Sequence, residues 1–313
     1  MTGAFWAVLS GVGFGIFQTY NRRAVQGMDV FVATFLQLLV SAFILTLATA
    51  LTVGMITIRS LTAVAILYFA IAGALHFFIG WTFLNASQKS IGAARTTSLI
   101  GTIPVFAAVF AAITLSEIPT LGSTIGILVI VAGVYLVNAV KIKRESAVTV
   151  EGGATFDGAS LALEGRATGI RSLRFGLAAA ICWSLSPTFV RLGLDEVSNP
   201  LLGVTVGMVT SVLGYAVILA LRSSRGAIGP VEMDAIGYKL FAAVLVALAT
   251  WSRWLALDLA PVAAVLALSL VSVPIVNLLS PLVSGRDLEN VTTQTWMGSG
   301  LIIGGSLILI VGL

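Results

Sequence analysis

An arginine stands between two tryptophans inside an apolar run in the second half of the chain. The run reads ALATWSRWLALDLAP over residues 247–261, with the arginine at position 253. An arginine at the centre of a membrane helix costs about 2.5 to 3.5 kcal/mol on insertion scales, and less toward the edge. Two interpretations of Arg253 are open. Either it faces a polar cavity, where it would bind a carboxylate or phosphate, or it extends to the lipid headgroups.

A second ionisable group lies in another apolar run, YFAIAGALHFFIGWTF, over residues 68–83. It is His76, the single histidine of the chain. An unperturbed pKa of roughly 6.5 would let this side chain carry a proton in the physiological range. Helical spacing places it on one face with Gly80 and Phe83. It is either a neutral histidine bonded to a neighbouring helix or a group that contacts substrate or a proton.

Other residues within the apolar runs have types suited to a binding cavity or a gate. The hydroxyl, amide and indole groups that we assign to substrate binding are Gln18, Ser98, Trp183 and Thr250. The candidate hinge or gate residues are Pro104, Pro187 and Pro274. A proline inside a helix removes a backbone hydrogen bond and weakens the helix locally. Pro104 and Pro274 are expected inside helices, where they would act as bend points.

The composition places these residues in a membrane protein. Of the 313 residues, 58% are hydrophobic and only 10% are charged, which is far too apolar for a soluble domain. The single cysteine excludes an internal disulfide, and no Cys/His cluster suggests a metal or another cofactor. There is no nucleic-acid signature. One histidine and one arginine also fall short of the paired groups that an intramembrane enzyme needs, so we expect no enzyme.

Hydropathy divides the chain into apolar runs long enough to cross a bilayer as helices. We expect ten spans, near residues 3–20, 30–53, 62–84, 93–115, 121–140, 174–192, 201–221, 237–257, 262–283 and 296–313. The fold class is therefore an all-α integral membrane protein. Residues 141–173 are rich in charge, Gly, Ser and Thr, and we expect a mobile polar linker there. It separates residues 1–140 from residues 174–313, with five helices on each side.

The two halves match each other at a fixed offset. At an offset of 170 positions, the matching pairs are Tyr68 with Tyr238, Trp81 with Trp251, and Pro104 with Pro274. A neighbouring offset pairs Phe14 with Trp183. An odd number of helices in each copy means that the second copy enters the membrane from the opposite side. We therefore predict two inverted five-helix repeats, which suit alternating access around a central site.

Nearly the entire chain resembles a known family, and the first half shows the pattern more clearly than the second. The sequence LNASQKSIGAARTTSLIGTIPVFAAVFAAITLSEIPTLGSTIGILVIVAGVYL, residues 84–136, resembles the repeat of EamA-type members of the drug/metabolite transporter superfamily. The shared features are a short loop after small residues, a proline within a helix, an acidic residue and a final glycine-containing helix. The resemblance implies a secondary transporter, often an exporter of amino acids or other small metabolites.

The distribution of basic residues predicts how the chain sits in its membrane, a bacterial inner membrane or a plasma membrane. Fourteen of the 17 Lys/Arg residues fall in the odd-numbered connections, including the linker. By the positive-inside rule, these connections are cytoplasmic and both termini lie outside. The family resemblance implies the reverse orientation.

The leading hypothesis is an alternating-access secondary transporter of a small polar or amphipathic metabolite, such as an amino acid or organic acid. Arg253 favours an anionic cargo, and His76 leaves proton coupling open. The alternative is a channel, or a flippase for a lipid or lipid-linked substrate, built on the same fold. The expected partners are the small-molecule substrate and the lipid bilayer, and pairing of two copies is left open.

Overall fold

The computed structural model describes residues 2–115, 120–151, 158–226, 228–285 and 291–311, and it is helical throughout. No strand occurs within these residues, so the all-α prediction is confirmed for them. The helices of the first half are α1 (Thr2–Gln26), α2 (Val30–Thr52), α3 (Met55–Arg59), α4 (Ala63–Gly73), α5 (Trp81–Ile91), α6 (Ala93–Ile100), α7 (Ile103–Leu115) and α8 (Leu121–Glu151). Those of the second half are α9 (Gly158–Glu196), α10 (Pro200–Ser223), α11 (Met233–Leu259), α12 (Val262–Leu268), α13 (Ser272–Val283) and α14 (Thr293–Val311).

Six helical stretches are long and apolar enough to cross a membrane. They are Val30–Thr52, Ala63–Ile91, Leu173–Glu196, Pro200–Ser223, Met233–Leu259 and Ala264–Val283. A shorter apolar helix covers Thr124–Asn138. The chain is therefore a multi-pass membrane protein. The expected total of ten spans stays a prediction, as does the division at a linker. Helices α8 and α9 both extend into residues 141–173.

Two helix pairs form the most extensive contacts of the bundle. Helix α1 packs along α11, and α8 packs along α14. Helix α9 packs against the continuous stretch Ala63–Ile91, while α2 lies between α10 and α11. The largest group of buried apolar side chains lies where α1, α9 and α11 meet the Ala63–Ile91 stretch. Large aromatic rings fill this core, and the most deeply buried include Phe14, Phe17, Trp81, Trp183 and Trp254.

A π-helical segment interrupts the Ala63–Ile91 stretch at Ala74–Gly80. Such segments widen a helix locally and are frequent at functional sites. Gly80, at the end of the segment, lies directly against the indole of Trp183, where a Cβ atom would collide with the ring. His76 lies within the same segment. The π segment thus places the histidine and the tryptophan side by side.

Two of the expected continuous spans are broken near their prolines. The span expected at 93–115 is divided into α6 and α7, and Pro104 is the second residue of α7. The span expected at 262–283 passes through a short 3₁₀ turn, Ser269–Val271, and Pro274 lies in the first turn of α13. A first-turn proline leaves no hydrogen bond unmade, because the first N–H groups of a helix have no partner within it. Both prolines therefore lie within helices, as predicted, but in the first turn and not in the interior. Pro187, in contrast, does lie inside α9.

Candidate functional site

Arg253 is buried inside the bundle. Only 8% of the surface of Arg253 is exposed. Its guanidinium carbon lies 4.9 Å from the ring centroid of Phe14 on α1. The Nε atom is enclosed and has no hydrogen-bond partner. Attraction of a cation to a ring face is worth about 2 kcal/mol or more in a desolvated setting. The side chain therefore packs against α1 in the interior, and the alternative of reaching the headgroups along the outer surface does not apply.

His76 is held by two contacts from α9. Its Nδ1 lies 3.0 Å from the hydroxyl oxygen of Ser186, and its ring stacks on that of Trp183 at 4.9 Å between centroids. The indole N–H of Trp183 also donates to the backbone carbonyl of His76 at 3.0 Å. The remaining ring nitrogen, Nε2, is buried without a partner. One ring nitrogen is thus fixed by α9 and the other is left free.

These side chains form a continuous group that we call the aromatic row, made of Arg253, Phe14, Trp183 and His76. The rings of Phe14 and Trp183 are 6.5 Å apart, and they join the cation at one end to the imidazole at the other. The row combines a cation with flat apolar surfaces, and such a combination can bind an anion that carries an apolar group.

Two further predicted residues adjoin the row. Gly80 lies against Trp183, as described above. Thr250 lies one helical turn before Arg253 on α11, and its hydroxyl is buried without a partner. Pro187 is buried and follows Ser186 in α9.

The structure does not bring the remaining predicted binding residues to the row. The side-chain oxygen of Gln18 accepts a hydrogen bond from Thr97 at 2.7 Å. Ser98 donates to the carbonyl of its neighbour Arg95 at 2.7 Å. The ring of Phe83 stacks at 6.1 Å on that of Phe175, so it covers α9 and not the histidine. Helical spacing alone missed this, because the π segment rotates the residues that follow it.

A buried polar network that the sequence did not predict surrounds Lys239. This lysine is completely buried and donates to the side-chain oxygens of Asn21 on α1 and, at 2.6 Å, Gln37 on α2. The amide nitrogen of Asn21 in turn donates to the side-chain oxygens of Asn85 and Gln88 on α5, both at 2.7 Å. The network therefore ties α1, α2, α5 and α11 together at one end of the bundle.

The sequence held one signal for this network. Polar amides at positions 18, 21, 37, 85 and 88 stand within or beside apolar runs. Lys239 was counted with the basic residues of the odd-numbered connections, because it is only the third residue of the span expected at 237–257. Helix α11 begins at Met233, so Lys239 lies in its second turn. Hydropathy places helix ends poorly, and the helix begins four residues earlier than expected, so Lys239 lies deeper in the bundle than its position in the expected span indicated.

The remaining charged groups of the described residues form no candidate metal site. No group of three or more His, Cys, Asp or Glu residues could hold a metal ion there. Arg222 and Asp29 form an ion pair at 3.5 Å near the surface, and Asp29 also caps the start of α2.

Comparisons with known proteins agree with this architecture. Residues 1–139 match the model of the EamA-like transporter family, which confirms the family resemblance found in the sequence. A crystal structure described only as "Crystal structure of protein" is similar with a TM-score of 0.61 and 16% identity, over 97% of each chain. At that identity the similarity shows the fold alone. No curated protein matches the chain.

Proposed function

We propose that this membrane transporter, with its EamA-like first half, is a secondary transporter of a small metabolite that carries a carboxylate and an apolar group, such as an amino acid or an organic acid. Export by alternating access is the mode we propose. The observation that carries the proposal is the buried Arg253, which rests on Phe14 and lacks a counter-charge among the described residues.

A buried cation without a partner favours an anionic ligand. Removing a charge from water costs several kcal/mol unless another charge or hydrogen bonds compensate it. The ring face of Phe14 compensates only part of this cost. A carboxylate placed against the guanidinium would supply the missing charge and accept its N–H groups. The adjoining rings of Phe14 and Trp183 would then cover the apolar part of the cargo.

We further propose that the chain consists of two inverted repeats of five helices, residues 1–140 and 174–313, joined by the polar linker. A pair of equivalent hydrogen bonds supports this. Arg22 donates to the carbonyl of Gln88, and Arg191 donates to the carbonyl of Leu257. Both residues of the second bond lie 169 positions after their counterparts in the first.

The helix pairing supports the same symmetry. Helix α1 packs on α11, and its counterpart α9 packs on the stretch Ala63–Ile91, the counterpart of α11. The equivalent residues Phe14 and Trp183 meet each other in the core. An inverted repeat places such equivalent helices around one central site. Pro104, Pro187 and Pro274 are the hinge or gate positions that we propose, and His76 is the group that we propose for proton coupling.

Counterflow in proteoliposomes tests the transport function. Vesicles loaded with an unlabelled amino acid or organic acid should accumulate the labelled compound with saturation. Arg253→Met should raise the half-saturating concentration of a carboxylate cargo by about tenfold or more, because a hydrogen bond to a charged group is worth roughly 1.5 to 3 kcal/mol.

Arg59→Met is the matched control, because Arg59 is exposed at the end of the short helix α3. It should leave uptake unchanged. Absence of saturable uptake across a panel of amino and organic acids would contradict the proposal. Flux that rises linearly with concentration would instead favour a channel.

A further inference from the structure

We propose that Lys239 is a second anion-binding group of the transport path, and that it binds the carboxylate of the cargo at the end of the bundle opposite Arg253. It becomes available when α11 separates from α1 and α2. This inference rests on the proposed transport function and extends it to a second residue. We call the two ends of the bundle the lysine end and the arginine end.

Lys239 carries a charge that no described carboxylate balances. Its side chain is 0% exposed, and the acceptors of its ammonium are the amide oxygens of Asn21 and Gln37. Amide oxygens carry only partial charge, so they compensate desolvation of the ammonium incompletely. Ionisable groups inside a membrane protein are costly, and they mark substrate or ion pathways.

The amide of Gln37 offers a second donor at the same place. Its oxygen lies 2.6 Å from Nζ of Lys239, while the nitrogen of the same amide is buried without an acceptor. An ammonium has three N–H groups, so the lysine retains one beyond its two amide acceptors. Two neighbouring donors match the two oxygens of a carboxylate.

The fold itself does not require a lysine here. At the offset of 170 Lys239 corresponds to Phe69, and at the neighbouring offset of 169 Asn21 corresponds to Val190 and Asn85 to Trp254. Phe69 is completely buried, and its ring packs on that of Trp254 at 5.6 Å. The arginine end is thus closed by apolar side chains at the equivalent positions. Since apolar packing closes one end, the polar closure of the other needs a different explanation.

Both cations lie on one line along α11. Lys239 precedes Arg253 by 14 residues, which corresponds to about 21 Å along the axis and an angular difference of about 40°. The two side chains therefore share the face of α11 that packs on α1, because Lys239 contacts Asn21 and Arg253 contacts Phe14. A cargo anion that moves along this face meets a cation near each end.

Separation of the helices would exchange one set of acceptors for another. Asn21 belongs to α1 and Gln37 to α2, whereas Lys239 belongs to α11. Movement of α11 away from α1 removes an amide oxygen from the ammonium. A carboxylate then replaces it and makes the stronger, charge-assisted bond.

Sided transport kinetics test the inference. The protein is reconstituted in proteoliposomes of defined orientation, and uptake is measured separately from the lysine end and the arginine end. The probe is whichever of leucine, phenylalanine and malate the unaltered protein takes up best. We expect Lys239→Met to raise the half-saturating concentration from the lysine end by about tenfold, and to change it less than about twofold from the arginine end.

Three further variants complete the design. Lys239→Arg keeps the charge and should restore most of the affinity from the lysine end. Lys89→Met is the matched control, because Lys89 lies at the same end and donates to the backbone carbonyl of Met28 at 2.6 Å. The half-saturating concentration of the Lys89→Met variant should not change from either end. If Lys239→Met fails to fold, Gln37→Leu removes the neighbouring donor and should weaken uptake from the lysine end alone.

The outcomes separate the two proposals. No saturable uptake of any probe by the unaltered protein overturns the transport proposal and this inference with it. Saturable uptake that Lys239→Met leaves unchanged overturns this inference alone. An equal rise of the half-saturating concentration from both ends, or the same rise in Lys89→Met, also overturns it. A lysine with a purely structural role would affect uptake from both ends equally.

Discussion

Arg253 is held by a ring face and by packing, with no hydrogen bond to it among the described residues. Its guanidinium lies over Phe14, while Phe17, one turn further along α1, packs on Trp81 at 6.5 Å. Both phenylalanines are buried in the same helix. They therefore form a natural comparison for the contribution of the cation.

A double-variant cycle should detect this contact. We expect the losses of unfolding free energy in Phe14→Leu and Arg253→Met to be non-additive, with a coupling of about 2 kcal/mol. Phe17→Leu combined with Arg253→Met should couple more weakly, because Phe17 reaches the guanidinium only through the ring of Phe14. Thermal unfolding of the purified variants in detergent measures both cycles. Additivity in the Phe14 cycle would show that the ring contributes only packing.

Gly80 offers a second prediction for a single residue. A Cβ atom there would collide with the indole of Trp183, so Gly80→Ala should displace the ring that stacks on His76. We expect a lower melting temperature and at least a tenfold loss of transport rate, since displaced binding groups lose their orientation.

Gly237→Ala is the control for this substitution. Gly237 is also helical, on α11, and a Cβ atom there meets no atom within 4 Å. The exchange of glycine for alanine in a helix with room stabilises by about 0.4 to 1 kcal/mol. Equal effects at positions 80 and 237 would contradict the assigned role of Gly80.

The sequence identified the two ionisable ends of the aromatic row but not their connection. Arg253 and His76 stand out because charge is rare in apolar runs. Phe14 does not, since many phenylalanines occur in such runs and only the packing of α1 on α11 brings this one under the guanidinium. Lys239 was missed for the opposite reason: its charge was visible, but its depth depends on where α11 begins.

At the scale of the helices, the breaks near Pro104 and Pro274 are the clearest departure from the expected spans. Each proline lies in the first turn after a break, where it needs no hydrogen bond. Hydropathy could not reveal this, because each break is only two or three residues long and apolar residues lie on both sides of it. The same breaks give each half of the chain a place where one helix segment can tilt against the next.

Restoring helix continuity at the first break should slow transport. Pro104→Ala allows the N–H of residue 104 to bond to the carbonyl of Ile100, which favours a continuous α6–α7 helix. We expect a several-fold lower turnover with little change in melting temperature. Pro281→Ala, in the interior of α13, is the comparison and should leave turnover unchanged. Unaltered turnover in Pro104→Ala would remove this proline from the proposed hinges.

At the scale of the whole molecule, burial changes how the basic residues are counted for orientation. Arg22 and Lys239 are buried, so they no longer count as loop charges. Arg253 had been counted with the even-numbered connections, and it is also left out because it is buried. The excess in the odd connections keeps its sign, and the basic residues within 141–173 still contribute to it.

We therefore predict that both termini lie outside and the linker in the cytoplasm. A reporter fused after Leu313 that is active only outside the cytoplasm should show activity. The same reporter inserted within residues 152–157, in the linker, should be inactive. Activity of a cytoplasm-only reporter at the C-terminus would reverse the assignment, and with it the side to which the lysine end is exposed.

The stacking of Trp183 on His76 also provides an intrinsic fluorescence signal for movement of the aromatic row. The emission of an indole depends on its immediate surroundings, so it changes when the ring stacked against it moves away. Trp183 is one of six tryptophans, so replacing the other five by phenylalanine would isolate its signal. Stopped-flow emission from such a variant would then report each opening of the aromatic row in real time, without any attached label.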